Sequence, residues 1–206
     1  QVLAKALQGV DLVFHQAAFT GFDADSGRYL EINSLGTARF FDVIAAQRLA
    51  VEKIVLASSL SVYGEGKYSC NAHGFQYPDM RPMMQLKRHE WEPKCSACGI
   101  DLQWQPTDED ARKQPFTPYA VSKYAAELLA MSARKRLGIP TVALRYAVTY
   151  GPRQSVFNPY STVIATFATL LINSQAPVLY EDGHQRRDWT FVEDIVRANL
   201  FVMEDE

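Results

Sequence analysis

The sequence holds two sets of residues whose types and spacing could do chemistry. In "YAVSK", Tyr119 to Lys123, a phenol and an ammonium stand four positions apart, which on a helix puts them on one face. A tyrosine ionises near pH 10, about three units too high for a base at neutral pH. A neighbouring cation favours the phenolate and lowers that value towards the working range. A hydroxyl placed to hydrogen-bond the substrate oxygen would complete proton transfer coupled to hydride transfer. "ASSLSVYG" offers one at the carboxyl end of a strand, where ligands sit in open α/β sheets. A bare Tyr-x-x-x-Lys also recurs by chance on solvated helices, so the pair alone does not decide a function.

The second set is the sulfur. All three cysteines fall in "SCNAHG" and "KCSACG". Superposed, these read Cys70-x-x-His73-Gly74 and Cys95-x-x-Cys98-Gly99, a small internal repeat. Each half is a ligand pair at knuckle spacing followed by a glycine, which turns the chain so that backbone amides face the sulfurs. Two such pairs supply the four tetrahedral positions that Zn²⁺ prefers, and four protein ligands leave no position for water or substrate. A metal here is therefore structural, contributing folding energy rather than Lewis acidity. Competing readings are a redox Cys-x-x-Cys, which needs a helix that "EPKCSACGID" does not offer, a cluster of thiols without metal, and His89 in place of His73 as the fourth ligand. Only His73 has the repeated spacing.

The elements that must position these groups follow from patterning. "GVDLVFHQAA" and "VEKIVLASS" are short apolar runs, as strands buried on both faces would be. "VLAKALQG" before the first reads as helix stopped by Gly9. "NSLGTARFFDVIAAQRLA" has helical spacing, with Leu35, Ala38, Phe41, Ile44 and Ala45 on one face and Asn33 or Ser34 as candidate cap. "PYAVSKYAAELLAMSARKRLG" is a long helix ended by Gly138. "PTVALRYAVTYG" reads as a strand, "STVIATFATLLINSQ" as a helix, "PVLYEDG" as a further strand and "FVEDIVRANLFVMED" as a last helix. This alternation predicts an α/β fold with a parallel sheet covered on both faces. Residues 65 to 117 break the rhythm, too long for an ordinary connection. They form an insertion, in which Phe75, Tyr77, Trp91 and Trp104 are expected to pack a minimal core around the metal.

The 206 residues suffice for one full domain and part of a second, and a formal charge of −2 gives no electrostatic reason to expect nucleic acid or an anionic membrane as partner. No apolar run spans a bilayer and no signal peptide opens the chain. An odd cysteine count argues against a disulfide framework and for a reducing, cytoplasmic setting.

Taken in order, "DLVFHQAA", "YLEINSLGTARF", "SSLSVYG", "PYAVSKYAAE", "LRYAVTYGPRQ" and "EDGHQRRDWTFVEDI" make the chain resemble the extended short-chain dehydrogenase/reductase family, the NAD-dependent epimerase/dehydratase group acting on nucleotide sugars. The resemblance runs from residue 11 to about 197 and leaves out only the insertion. It implies a Rossmann-like doubly wound parallel sheet without its N-terminal strands, split as 1–64 and 115–150, and the start of a substrate domain over 151–206; the insertion between them, 65–114, is zinc-knuckle-like by its Cys/His spacing. Tyr119 is then the acid/base, Lys123 its partner and a ligand of the nicotinamide ribose, and Ser59 the catalytic hydroxyl, counted back from Val62-Tyr63-Gly64. Ala17 and Ala18 match the small residues over which the cofactor lies, and Tyr146 a position lining the nicotinamide pocket. Asn33 matches a residue that braces the strand ends near the cofactor, and Ser58 one closer to cofactor or strand hydrogen bonding. Arg187 matches the arginine that clamps the substrate diphosphate; Arg186 reads as a surface charge and Asp194 as a helix cap.

Departures narrow the reading. The family's 4,6-dehydratases carry Asp-Glu directly after the catalytic hydroxyl, where this chain has Leu60-Ser61, which disfavours water elimination. Val148 stands where many relatives have a substrate-holding Asn, which leaves the sugar undecided. No glycine-rich phosphate turn precedes Gln1, so the chain reads as an interior fragment expected to bind NAD poorly by itself, with NADP not excluded. The leading expectation is a nucleotide-sugar epimerase, UDP-glucose 4-epimerase-like, using NAD. The alternatives are a reductase or dehydrogenase with the same triad, or an inactive zinc-stabilised binding module. Relatives are commonly dimers through two helices each, here those following Asn33 and carrying Tyr119, and a homodimer is left open.

Overall fold

The structure, a computed structural model, describes residues 2–21, 25–155 and 163–204. In chain order its elements are α1 (Val2–Ala6), β1 (Leu12–His15), α2 (Ser26–Tyr29), a π-helical turn (Leu30–Leu35), α3 (Gly36–Gln47), β2 (Lys53–Ser59), β3 (Tyr68–Cys70), β4 (Gly74–Gln76), α4 (Met83–Lys87), β5 (Gln103–Trp104), α5 (Pro118–Leu137), β6 (Thr141–Tyr146), β7 (Val148–Tyr150), α6 (Val163–Ile172), β8 (Trp189–Phe191) and α7 (Val192–Glu204). They form two compact units: Gln1–Leu60, Thr117–Pro177 and Arg187–Glu206 make the first, Ser61–Phe116 and Val178–Arg186 the second.

In the first unit β1, β2 and β6 form a parallel sheet in that order. The uninterrupted apolar run Ile54–Ala57 suits β2 to the centre, with a neighbour on each side, and these residues are almost fully buried. Phe40, Phe41 and Ile44 of α3 pack with Ile54 and Leu56 of β2 and with Ala130 and Ala133 of α5. Helix α5 starts at Thr117, whose side chain accepts from the Ala120 amide, and stops at Gly138 in the left-handed conformation, the expected caps. Its buried face is mostly alanine (Ala120, Ala126, Ala130, Ala133), which lets the helix lie close to its neighbours.

Several expectations are corrected. Among the described residues β1 pairs with β2 alone, and its Leu12 and Phe14 are about 40% and 39% exposed. The buried face of α3 is Thr37, Phe40, Phe41 and Ile44, while Leu35 is exposed. The helical path begins earlier than read and passes through the π-helical turn, whose wider turn shifts the phase of every later side chain. Asn33 lies inside that turn and caps nothing; Asp25 caps α2 instead. "PTVALRYAVTYG" is two strands, because after Ala147 the chain leaves β2 and pairs with β8, Val148 against Trp189. "PVLYEDG" forms no strand; Val178–Arg186 belongs to the second unit, and the strand lies at "WTF", just ahead of α7. The helix read over 161–175 is α6, and its residues 161 and 162 lie outside the described residues.

In the second unit β3 is the middle strand of a small antiparallel sheet, paired with β4 through Cys70 and Gly74 and with β5 through Tyr68 and Trp104. The tight β3–β4 connection carries Cys70 and His73. Cys95 and Cys98 sit on a second turn, closed by the Cys95 amide donating to Ile100 O at 2.8 Å and the Gly99 amide to Cys95 O at 2.9 Å. The Val178–Arg186 segment is held by a two-pronged Arg81–Glu181 ion pair, both bonds 2.9 Å, and by Arg186 over the Trp104 ring. The four aromatics expected to form a core do not do so: Phe75 and Trp104 are exposed, while Tyr77 and Trp91 are only half-buried, the Trp91 ring lying tilted against His89. The buried cluster is Cys70, Cys95 and Leu102, with Tyr68 against it.

Candidate active site

Parallel strands all present their carboxyl ends on one side, and the first unit places its chemistry there. Ser59 is the last residue of β2 and pairs in register with Tyr146, the last of β6. Tyr119, in the first turn of α5, hydrogen-bonds Ser59 through its side chain, so the two hydroxyls that the sequence separates by sixty positions meet. Lys123, one turn further along α5, is 5% exposed, and its ammonium donates to the Ala57 carbonyl of β2.

Electrostatics differ from the sequence expectation. Burial pushes the Tyr119 phenol above its ordinary pKa, opposed by the Ser59 hydrogen bond and reinforced by Tyr29. Burial also pulls Lys123 down, to about 8. Both groups pay the same cost, loss of water around the charged form. His15, at the end of β1, is likewise held below its usual value, first by burial and then by the Lys123 charge. Its Nε2 lies 3.0 Å from Thr37 Oγ1. Thr37 already donates to the Asn33 carbonyl at 2.6 Å, so the imidazole must be the donor and Nε2 carries the proton.

A polar knot fixes this end of α5. The Asn33 side chain accepts from the Phe19 amide at 2.6 Å and donates to Phe19 O at 3.0 Å and Ser122 Oγ at 2.9 Å. Ser122, fully buried between Tyr119 and Lys123, donates to the Tyr119 carbonyl at 2.8 Å. Ser34 adds a bond to Ser122 O at 3.1 Å. Asn33 thus ties the chain after β1 to the turn of α5 that bears the phenol and the ammonium.

Other sequence-predicted positions fall as follows. Ser58 is buried and donates to Glu127 Oε2 at 2.7 Å, while Glu127 also pairs with Arg145 at 2.6 Å; the Ser58 hydroxyl serves the packing of β2 on α5. Ala17, exposed, and Ala18, half-buried, follow directly on β1. Tyr146 donates to Asn199 Oδ1 at 2.8 Å and accepts from Gln16 Nε2 at 3.0 Å. Sequence reasoning missed Gln16, Asn199, His15 and Glu127. Only Glu127 carried a signal, lying four positions after Lys123 on the face that α5 buries. Arg187 is exposed. A hollow of about 560 Å³ lined by Ile44, Arg48, Leu49, Val51, Leu137 and Pro140 sits at the opposite, amino end of β2 and β6.

In the second unit Cys70, His73, Cys95 and Cys98 come together with their ligand atoms all within 4.8 Å of one another. His89 is not among them.

A family model described as "NAD dependent epimerase/dehydratase family" matches residues 1–83 and 95–206. The chain is 31% identical over 191 residues to a dTDP-L-rhamnose 4-epimerase of Burkholderia thailandensis, covering 91% of this chain and 51% of that protein. It is 28% identical over 204 residues to a putative UDP-glucose 4-epimerase of Methanocaldococcus jannaschii, covering 94% and 52%. Among solved structures, a UDP-N-acetylglucosamine 4-epimerase from Methanobrevibacter ruminantium M1, in complex with UDP-N-acetylmuramic acid, superposes with a TM-score of 0.75 at 30% identity, over 100% of this chain and 56% of that one. The chain spans about half the length of the curated relatives it matches.

Proposed function

The chain belongs to the NAD dependent epimerase/dehydratase family, and from that premise we propose that the protein is an NAD-dependent nucleotide-sugar 4-epimerase. One observation carries the reading: the Tyr119–Ser59 hydrogen bond, with Lys123 buried one turn away, at the carboxyl end of a parallel sheet. That is the side where open α/β sheets bind ligands.

NAD⁺, when bound, supplies the hydride acceptor and returns the hydride. Ser59 Oγ hydrogen-bonds the reacting sugar oxygen. With NAD⁺ bound, its positive nicotinamide would favour the phenolate against the cost of burial, and Tyr119 Oη would take the proton of that hydroxyl as the hydride leaves the same carbon, producing a keto-sugar, and give the proton back once the opposite face of the carbonyl has been reduced. Atoms and electrons balance with no net redox change. Lys123, anchored on the Ala57 carbonyl, would hold the ribose side of the cofactor. The residues present fit that half of the dinucleotide: Ala17 and Ala18 put no bulk beyond β1, and Tyr146 stands in a hydrogen-bonded group at the end of β6. Asn33 and Ser58 act through position, since their polar atoms are engaged with Phe19, Ser122 and Glu127. Arg187 is assigned to the substrate diphosphate on the resemblance of "RRD" alone. Leu60 and Ser61, in place of an acid pair, favour epimerisation over dehydration.

In this reading residues 1–64 and 115–150 are the NAD-binding part, 65–114 a zinc-stabilised insertion and 151–206 the start of the substrate domain. The setting is cytoplasmic. The exposed Val121, Leu128 and Leu129 of α5 support a homodimer. The test is the full-length protein with NAD⁺ and UDP- and dTDP-hexoses, followed by NMR for the inverted sugar and by absorbance for NADH. Epimer without accumulated NADH is expected. Stoichiometric NADH would make it a dehydrogenase instead. Tyr119→Phe should lower kcat by about 10²–10⁴-fold at little changed KM, and undiminished turnover would refute the chemistry assigned to it.

A further inference from the structure

We propose that Cys70, Cys95 and Cys98, through Sγ, and His73, through Nδ1, bind one Zn²⁺, and that this ion rather than a hydrocarbon core keeps the second unit folded. The proposal deepens the zinc-stabilised insertion named above and needs none of the sugar chemistry.

The distances are those of a tetrahedron. Zinc bonds of about 2.3 Å to sulfur and about 2.05 Å to nitrogen imply edges of about 3.8 Å between two sulfurs and about 3.5 Å between sulfur and nitrogen. Cys70 Sγ lies 3.7 Å from Cys98 Sγ and 3.5 Å from His73 Nδ1, and Cys95 Sγ lies 3.6 Å from the same nitrogen. One such contact is ordinary packing; four ligand atoms from two separate turns converging within 4.8 Å are not.

The two turns repeat each other in detail. Gly74 and Gly99 have φ of +69° and +71°, with nothing within 4 Å of where a Cβ would stand. The glycines are therefore required by backbone conformation, not by space. The amides of Ala72 and His73 face the Cys70 sulfur, and those of Ala97 and Cys98 face the Cys95 sulfur at the same offsets. Amides aimed at thiolates offset the excess negative charge of a three-thiolate site and orient its ligands.

The donor set selects the ion. Thiolates with one imidazole in a tetrahedron suit zinc and reject calcium and magnesium. Four protein ligands close the site, which excludes catalysis at the metal. The second unit buries few side chains, Val62, Cys70, Gln85, Cys95, Leu102 and Ala111 among them, and two of the three buried residues of its core cluster are the ligands Cys70 and Cys95. With so little apolar burial, metal binding and folding are one process.

The test is elemental analysis of the full-length protein purified from zinc-supplemented medium, together with Co²⁺ exchange read in the visible spectrum. One zinc per chain is expected, with the intense d–d and thiolate charge-transfer bands of tetrahedral cobalt. Cys95→Ser and His73→Ala should lower zinc content at least about tenfold; His73→Cys, which keeps four ligands, and His89→Ala should retain it. Full zinc in Cys95→Ser, iron in place of zinc, or a folded metal-free wild type whose three thiols all react with a thiol reagent would each overturn the proposal. None of these readouts depends on epimerase activity, so failure here and failure of the sugar chemistry are told apart.

Discussion

Lys123 carries the largest visible cost of burial in the candidate site. Its ammonium is held in a nearly dry position with the Ala57 carbonyl as partner, and its folded pKa is about 8 against an ordinary 10.5. Between those values the unfolded chain binds a proton that the folded chain does not, so stability rises as pH climbs through that window, and below it the burial cost is fully present. Replacing a buried charge by an apolar group of similar length is neutral or stabilising. Lys123→Met is therefore expected to be more stable than the parent at pH 7 by about 1–3 kcal/mol, with the advantage shrinking from pH 8 upwards and turnover lost. Urea midpoints at neutral and alkaline pH check this; equal midpoints at neutral pH would show that the ammonium keeps its water. Tyr119 is shifted by the same cause in the opposite sense, because its charged form is the deprotonated one.

At the scale of elements, the π-helical turn ahead of α3 is what allows one asparagine to serve two partners. Asn33 reaches Phe19 beyond β1 and Ser122 within α5, and Ser122 in turn holds the backbone of Tyr119. Removing the amide deletes three hydrogen bonds and leaves buried groups without partners. Asn33→Ala should cost about 2–3 kcal/mol in denaturant unfolding and lower kcat with it, while Ser34→Ala, which loses a single bond, should cost no more than about 1 kcal/mol. If the two substitutions cost the same, the knot does not position α5. Glu127 plays the parallel part on the other side of Lys123, joining Ser58 of β2 to Arg145 of β6.

For the whole molecule, the two units are stabilised by different physics. The first has a continuous apolar core of helix and sheet side chains; the buried cluster of the second is Cys70, Cys95 and Leu102, two of them ligands of the proposed ion. Chelating the metal from the full-length protein should speed hydrogen exchange of the amides in β3 and β5 to near unfolded rates while β2 stays protected. Unchanged protection at Tyr68–Cys70 would show that the second unit stands without an ion. Among the described residues no helix is long and apolar enough to cross a membrane.

The sequence by itself determined the alternation of strands and helices, the shared helix of Tyr119 and Lys123, and both cysteine turns, because periodicity, caps and ligand spacing are local properties. It could not show that a single π-helical turn rotates the face of α3, that Ala147 divides one apolar run between two sheets, or that residues 178–186 leave the first unit for the second. Each of those depends on which partner a segment finds, and pairing is decided far along the chain. The direction of the Tyr119 and Lys123 shifts was hidden for the same reason. Spacing tells which charges are neighbours, but only the packed structure tells how much water they lose, and here that loss outweighs their proximity.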